Sequence, residues 1–235
     1  MSEQTNNSTL AQNLYEVRSR INASARRSGR EPSSVHIVAV TKHRSIVESK
    51  ELLTLGEFDL GENYPQELWH KEEGLRGLGA RWHLIGHLQS NKARKTLPLV
   101  HMIHAVDSLR LLRALDELAA KVEHPPRVFL QVNCSGEAAK HGWSPHSVID
   151  DAEAIAAIRS VPIVGLMTMA SLVVNPESAR PDFVLLRETR DSLAVRTGLP
   201  LPELSMGMSN DYEVAVEEGA SWVRIGTALF EGVRR

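Results

Sequence analysis

Lys42 stands two residues beyond the apolar, β-branched run Val35–Val40, where a strand would end. Its amine has two readings. A strand-end lysine ordinarily lays its stem along apolar surface and keeps its charge in water. Removed from water at the mouth of a fold, the same amine loses its proton more readily and becomes a nucleophile able to condense with an aldehyde. Near the other end of the chain, Ile225-Gly-Thr-Ala-Leu-Phe230 reads as a strand end turning into the start of a helix. Gly226 permits close backbone approach and Thr227 adds a hydroxyl. A helix start offers free N–H groups and a favourable dipole to an anion. Ser205 and Ser209 fall on the neighbouring loop. The same Gly-Thr pair could equally cap a terminal helix and bind nothing. Arg224, between Val223 and Ile225, is costly inside a strand unless it is paired. Its partner is either a strand-end carboxylate such as Glu62 or a ligand heteroatom, and both can hold together.

Other reactive side chains carry weaker patterns. His83 with His87, or His101 with His104, could be written as ligand pairs. The first pair straddles a strand end instead of sharing a helix face, and no cysteine cluster or carboxylate motif accompanies either, so no metal is expected. Cys134, the one cysteine, reads as a small packing residue more than as a nucleophile, and it leaves no partner for an intrachain disulfide.

These residues need a scaffold that gathers strand ends. Leu10, Leu14, Val17 and Ile21 recur at helical spacing, with Ser8 or Thr9 as cap and Gly29 and Pro32 as stop. A beat then repeats. Strands are expected at 35–40, 58–60, 82–85, 102–106, 127–132, 161–167, 203–206 and 222–225. Helices are expected at 45–55, 64–73, 91–95, 108–123, 145–159, 181–197 and 211–219. Crossover helices return the chain to the same end, so the strands pair in parallel. Eight such units predict a single closed (β/α)₈ TIM barrel spanning residues 1–235, with residues 1–8 loose; an open doubly wound sheet is the alternative. The longest irregular loop, 171–181, is expected to be mobile. In parallel α/β folds the chemistry gathers at the C-terminal strand ends, where the polar residues of this sequence crowd.

The 235 residues are 42% hydrophobic and 24% charged, with a formal net charge of -2. That balance argues against a nucleic-acid footprint or a membrane-surface face. The polar N-terminus lacks an apolar signal core, and one cysteine suits a reducing compartment, so a cytoplasmic protein is expected.

Taken together the strand-end motifs resemble the pyridoxal phosphate homeostasis protein family. The segments that carry the resemblance are Val38-Ala-Val-Thr-Lys42, Gly61-Glu-Asn-Tyr64, Trp82-His-Leu-Ile-Gly-His-Leu-Gln-Ser-Asn-Lys92, Gln131-Val-Asn133 with Lys140 and Gly142, Gly165-Leu-Met-Thr-Met169, Leu204-Ser-Met-Gly-Met-Ser209 with Asp211, and Val223-Arg-Ile-Gly-Thr-Ala228. The chain departs from the family's usual pattern in the loops at His43-Arg44-Ser45 and Ala170-Ser171. The resemblance implies a barrel like the N-terminal domain of alanine racemases, and pyridoxal 5'-phosphate (PLP) held as a Schiff base on Lys42. It implies that Ser205, Gly226 and Thr227 hold the phosphate, that Arg224 faces the pyridine nitrogen, and that Asn63 and Met167 line the cofactor.

Two functional classes follow. One is a monomeric carrier that guards the aldehyde, serves intracellular vitamin B6 homeostasis and passes PLP to apo PLP-dependent enzymes, without robust turnover. The other is a PLP-dependent amino-acid racemase. Racemases of this type bring a tyrosine from a further C-terminal domain to the opposite face of the cofactor. Here the sequence ends at Arg235, just past the eighth strand, and only Tyr64 of its three tyrosines lies near a strand end, so the carrier is expected.

Overall fold

The computed structural model describes residues 8–137, 139–171 and 175–233. Eight parallel strands, β1 (His36–Val40), β2 (Asp59–Glu62), β3 (Arg81–Leu84), β4 (Met102–Val106), β5 (Arg127–Gln131), β6 (Ile163–Met167), β7 (Glu203–Met208) and β8 (Trp222–Ile225), follow one another around a closed barrel. The open-sheet alternative is excluded by the last pairing. β8 lies beside β1 in the register His36↔Trp222 through Ala39↔Ile225.

The helices are α1 (Thr9–Arg27), α2 (Ile46–Thr54), α3 (Pro65–Gly74), α4 (Ser90–Thr96), α5 (Leu109–Ala119), α6 (Pro145–Asp150), α7 (Ala152–Ala156), α8 (Arg180–Thr197) and α9 (Tyr212–Glu217). Capping fixes several of their starts. Ser45 Oγ accepts from Glu48 N–H while Glu48 returns a bond to Ser45 N–H, a reciprocal box that starts α2 just past Lys42. The single helix expected at 145–159 is two short ones. The break comes at Asp151, whose carboxylate accepts from Trp143 Nε1 at 2.8 Å. The loop expected to be mobile contains a 3₁₀ turn at Pro176–Ala179, and residues 172–174 within it lie outside the described residues, as do residues 1–7 of the expected loose terminus.

Among the described residues no helix follows β8. The segment after it makes one turn, with Leu229 and Phe230 N–H donating to Gly226 O. The eighth helical position is filled by α1 instead. Its apolar face of Leu10, Leu14, Val17 and Ile21 is buried. Arg20 and Arg27 pair with Glu213 and Glu217 of α9, and Asn13 Nδ2 donates to Leu229 O and Glu231 O.

The main apolar core lies between strands and helices. A smaller cluster of Val38, Met102, Ala105, Phe129, Met167 and Trp222 fills the barrel interior. Around the strands' N-terminal ends, Arg81 pairs with Asp59, Arg127 pairs with Glu203, and Trp222 Nε1 donates to Glu203, closing the floor. The chemistry is left to the opposite end.

Candidate functional site

At the C-terminal end of the barrel a cavity of about 300 Å³ opens. Five of the seven residues singled out in the sequence, Lys42, Asn63, Arg224, Gly226 and Thr227, line it.

Lys42 and His43 form the middle of a tight turn closed by Arg44 N–H donating to Thr41 O at 2.9 Å. His43 takes φ 62°, a left-handed conformation that costs a side-chain-bearing residue roughly 1–2 kcal/mol. Something must hold this turn. Lys71 of α3 donates from Nζ to Thr41 O at 2.7 Å and to Glu62 Oε1 at 2.6 Å. Thr41 Oγ1 donates to the same carboxylate oxygen at 2.6 Å. All three side chains are buried. Glu62 is thus taken by Lys71 in the layer between sheet and helix, and the expected pairing of Glu62 with Arg224 does not form. Lys42 is an exposed residue at the rim, as the first of its two readings has it, and it also lines the cavity.

On the neighbouring strand end lies the turn after β8. Ser209 Oγ accepts from Gly226 N–H at 3.3 Å and Ala228 N–H at 3.2 Å. Its hydroxyl proton is therefore free to point elsewhere, and Thr227 adds a second hydroxyl. This arrangement is an N–H- and hydroxyl-rich cup suited to an anion, built on one turn where a helix start was expected.

Two expected site residues do not line the cavity. Ser205 is fully buried below it. β7 runs two residues further than the sequence suggested, to Met208, and its register against β8 shifts between Ser205 and Met208. Gly207 makes the shift possible, with φ 93° and no room for a Cβ, which would lie 2.6 Å from Ala215 Cβ. The strand-end serine is consequently Ser209. Met167 lies in the apolar interior beside Phe129 and Met102, one layer too deep, and Met169 takes its place at the cavity wall. Met208, Asn210 and Asp211 also border the space. Burial raises the Asp211 carboxyl above its ordinary range, although its Oδ1 accepts from Met208 N–H at 2.6 Å.

Arg224 forms the floor. It is 4% exposed, and burial lowers its pKa to about 10. Nη1 donates to Ser205 Oγ at 2.6 Å and Nη2 to Thr168 O at 2.8 Å. No carboxylate touches it among the described residues; Asp211 acts on it only through space. Ser205 is bound in turn by His104 Nδ1 at 2.7 Å, His104 Nε2 by His83 Nδ1 at 2.9 Å, and His83 Nε2 by Asp59 at 2.9 Å. The histidines that could be written as metal pairs are thus split. His83 and His104 belong to this buried chain, while His87 stacks face to face on His141 and binds Asp107 at the rim. Cys134 is buried, and burial pushes its thiol up to about 12, which removes it as a thiolate nucleophile. Lys140 is tied down by Ser135, Glu137 and the carbonyls of Met169 and Ala170.

Residues 12–233 match the family described as alanine racemase, N-terminal domain. Curated relatives span the chain almost end to end. The pyridoxal phosphate homeostasis protein of Pseudomonas aeruginosa is 40% identical over 223 residues, 95% of each chain. That of Escherichia coli K12 is 35% identical over 232 residues, 94% of this chain and 95% of its own. Among solved structures, PipY of Synechococcus elongatus with PLP bound superposes with a TM-score of 0.83 at 35% identity, covering 94% of this chain and 99% of its own. Alanine racemase from Corynebacterium glutamicum shares the fold, with a TM-score of 0.69 at 17% identity over 92% of this chain and 61% of its own.

Proposed function

The chain belongs to the pyridoxal phosphate homeostasis protein family, and on that premise we propose that it holds PLP in the cavity between Lys42 and the Gly226–Ala228 turn and serves intracellular vitamin B6 homeostasis. The observation that carries the reading is that one small cavity is bordered by a primary amine, a buried guanidinium and an anion cup. That donor set fits a compact ligand bearing an aldehyde, a ring nitrogen and a phosphate. When bound, the cofactor supplies an aldehyde that condenses with the Lys42 amine. The protein's own groups do the rest. The Ser209 and Thr227 hydroxyls would receive the phosphate, Arg224 would face the ring nitrogen, and Asn63 and Met169 would line the sides. Arg224 keeps its proton near neutral pH, so it would donate to a ring nitrogen placed there and would not protonate it, which would weaken the ring as an electron sink.

A carrier is favoured over a racemase by what surrounds the cavity. None of the three tyrosines lines it: Tyr15 and Tyr64 are exposed and Tyr212 is buried under α1. Large exposed apolar side chains (Tyr15, Val47, Tyr64, Leu78, Leu185, Val195) are spread along the chain, only Leu185 and Val195 sharing an element, α8, which supports a monomer. No helix among the described residues is long and apolar enough to cross a membrane. A cytoplasmic location, and apo PLP-dependent enzymes as recipients, complete the proposal.

Borohydride treatment of the chain mixed with PLP, followed by peptide mapping, tests it. The label is expected on Lys42 and not on Lys92 or the tethered Lys140. A label elsewhere, or none, overturns the assignment.

A further inference from the structure

Arg224 presents an electrostatic problem. It is a buried cation on which the Asp211 carboxylate acts through space without bonding to it, and its two bonded protein acceptors are neutral, a hydroxyl and a carbonyl. Most buried guanidinium groups are held by a carboxylate. Here the carboxylate stands at the far end of a chain of hydrogen bonds that crosses the barrel interior, from Asp59 on β2 through His83 on β3 and His104 on β4 to Ser205 on β7.

The direction of every proton in that chain is fixed. Asp59 is held ionised: burial alone would raise it, but the bonds from Arg81 and His83 outweigh burial and keep it well below the usual carboxylate range. An ionised carboxylate only accepts, so His83 donates from Nε2. Burial keeps His83 neutral, and its Nδ1 must then accept. His104 Nε2 therefore donates to it. His104 is fully buried and held neutral too, so its Nδ1 accepts from Ser205 Oγ–H. The serine's lone pair is what remains for Arg224. Of the groups facing the two rings, Asp59 favours protonating His83, but burial outweighs it, and the cations Arg81, Arg127 and Arg224 oppose protonation. His101, Phe129 and Trp222 complete the walls.

We propose that His83 and His104 are positioning residues for the cofactor site: with Ser205 they form a one-way relay that holds the Arg224 guanidinium in one pose facing the cavity and leaves its charge uncancelled there for the ligand. This rests on the reading of the cavity as a PLP site. It also accounts for the burial of Ser205, whose hydroxyl proton is committed to His104 and cannot serve a phosphate.

Two measurements test it. In the ligand-free chain, nitrogen-15 spectra of labelled histidine should show two rings that stay neutral and protonated on Nε2 from about pH 5.5 to 8, the range in which an ordinary histidine titrates. They should be assigned to His83 and His104 by their loss in His83→Gln and His104→Asn. Titration of either ring, or an Nδ1–H form, overturns the relay. In the second, His104→Leu removes the acceptor beside Ser205, while His104→Asn can keep an oxygen there. His104→Leu should weaken PLP and phosphate-free pyridoxal by the same factor, on the order of tenfold. It should also move the visible band of bound PLP in the direction that Arg224→Gln moves it. His104→Asn should restore both. An unchanged band and affinity in His104→Leu, with only a lower melting temperature, overturns the proposal. Ser205→Ala carries the same expectation should His104→Leu fail to fold. If wild-type protein gives no PLP band, the functional reading falls, and the nitrogen-15 spectra alone decide the relay.

Discussion

Replacing Lys71 by methionine isolates the support beneath Lys42. Lys71 Nζ and the Glu62 carboxylate are 2.6 Å apart, and their side chains are 3% and 1% exposed. Glu62 Oε2 has no partner among the described residues, so the pair already runs one bond short. In Lys71→Met the Glu62 carboxylate keeps only the Thr41 hydroxyl, and the Thr41 carbonyl loses its charged donor. Breaking a buried pair from one side costs about 3–5 kcal/mol. For a chain of this size that is a fall of roughly 6–20 °C in melting temperature, at about 2–4 °C per kcal/mol. Glu62→Leu should cost a similar amount, because it strands the ammonium. Lys71→Met combined with Glu62→Leu should cost clearly less than the two single losses added, since no charge is left buried. Urea melts of the four proteins measure this. A single-variant loss below about 1 kcal/mol, or strict additivity in the double variant, would refute the claim that the pair is desolvated and coupled. The surviving Lys71→Met protein should also label less completely at Lys42, because Thr41 O closes the turn that carries it.

Further outcomes are specific. Thr227→Ala should weaken PLP by about 1–3 kcal/mol in a fluorescence titration, the range for a hydrogen bond to a charged group, and leave pyridoxal almost unaffected. Glu57 is buried, and burial outweighs Arg18 in pushing its carboxyl up to about 7. An acid whose folded value is raised contributes stability below its ordinary range and loses it as pH rises through about 7. Glu57→Gln should therefore exceed wild type by about 1–3 kcal/mol at about pH 8 and converge with it as pH falls towards 4.5. The Asp116 carboxylate gathers the N–H groups of Arg159, Ser160 and Val161 just before β6. Asp116→Ala should cost about 2–3 kcal/mol by urea melt, and Asp116→Asn, which keeps an acceptor, should cost less. Purified protein incubated with alanine should show racemisation far below about 1 per second by chiral chromatography.

The barrel was legible because short apolar runs, five of the eight carrying β-branched residues, alternate with helices. Lys42 and Gly226-Thr227 were legible because they sit where those runs stop. Depth along the barrel axis was not. Alternation tells which side chains point inward, but not the layer they reach, since that depends on strand stagger and bulges. Met167 and Met169 are two apart in sequence, yet one lies in the core and the other at the cavity wall. Ser205 and Ser209 exchange roles because Gly207 bulges β7. Pairings between layers were hidden for a related reason. His83 was grouped with His87 by nearness along the chain, whereas the register His83↔Met102 and Leu84↔Ile103 sets it beside His104. Lys71 meets Glu62 across the gap between helix and sheet, which no strand or helix period reveals.

The position of α1 has a consequence for synthesis. It leaves the ribosome before every strand of the barrel, yet the turn after β8 and much of the surface it covers, including α9, are made only after the first seven strands. About 200 residues separate Arg27 from Ile225, which at roughly 5–20 residues per second is on the order of 10–40 s of translation. Throughout that interval Leu10, Leu14, Val17 and Ile21 have no native surface complete enough to cover them. The nascent chain therefore carries a sticky apolar stripe ahead of the barrel throughout that interval. That stripe is where a chaperone would be expected to dwell, and a polar substitution on it should change how much protein survives synthesis more than it changes the finished barrel's affinity for its ligand.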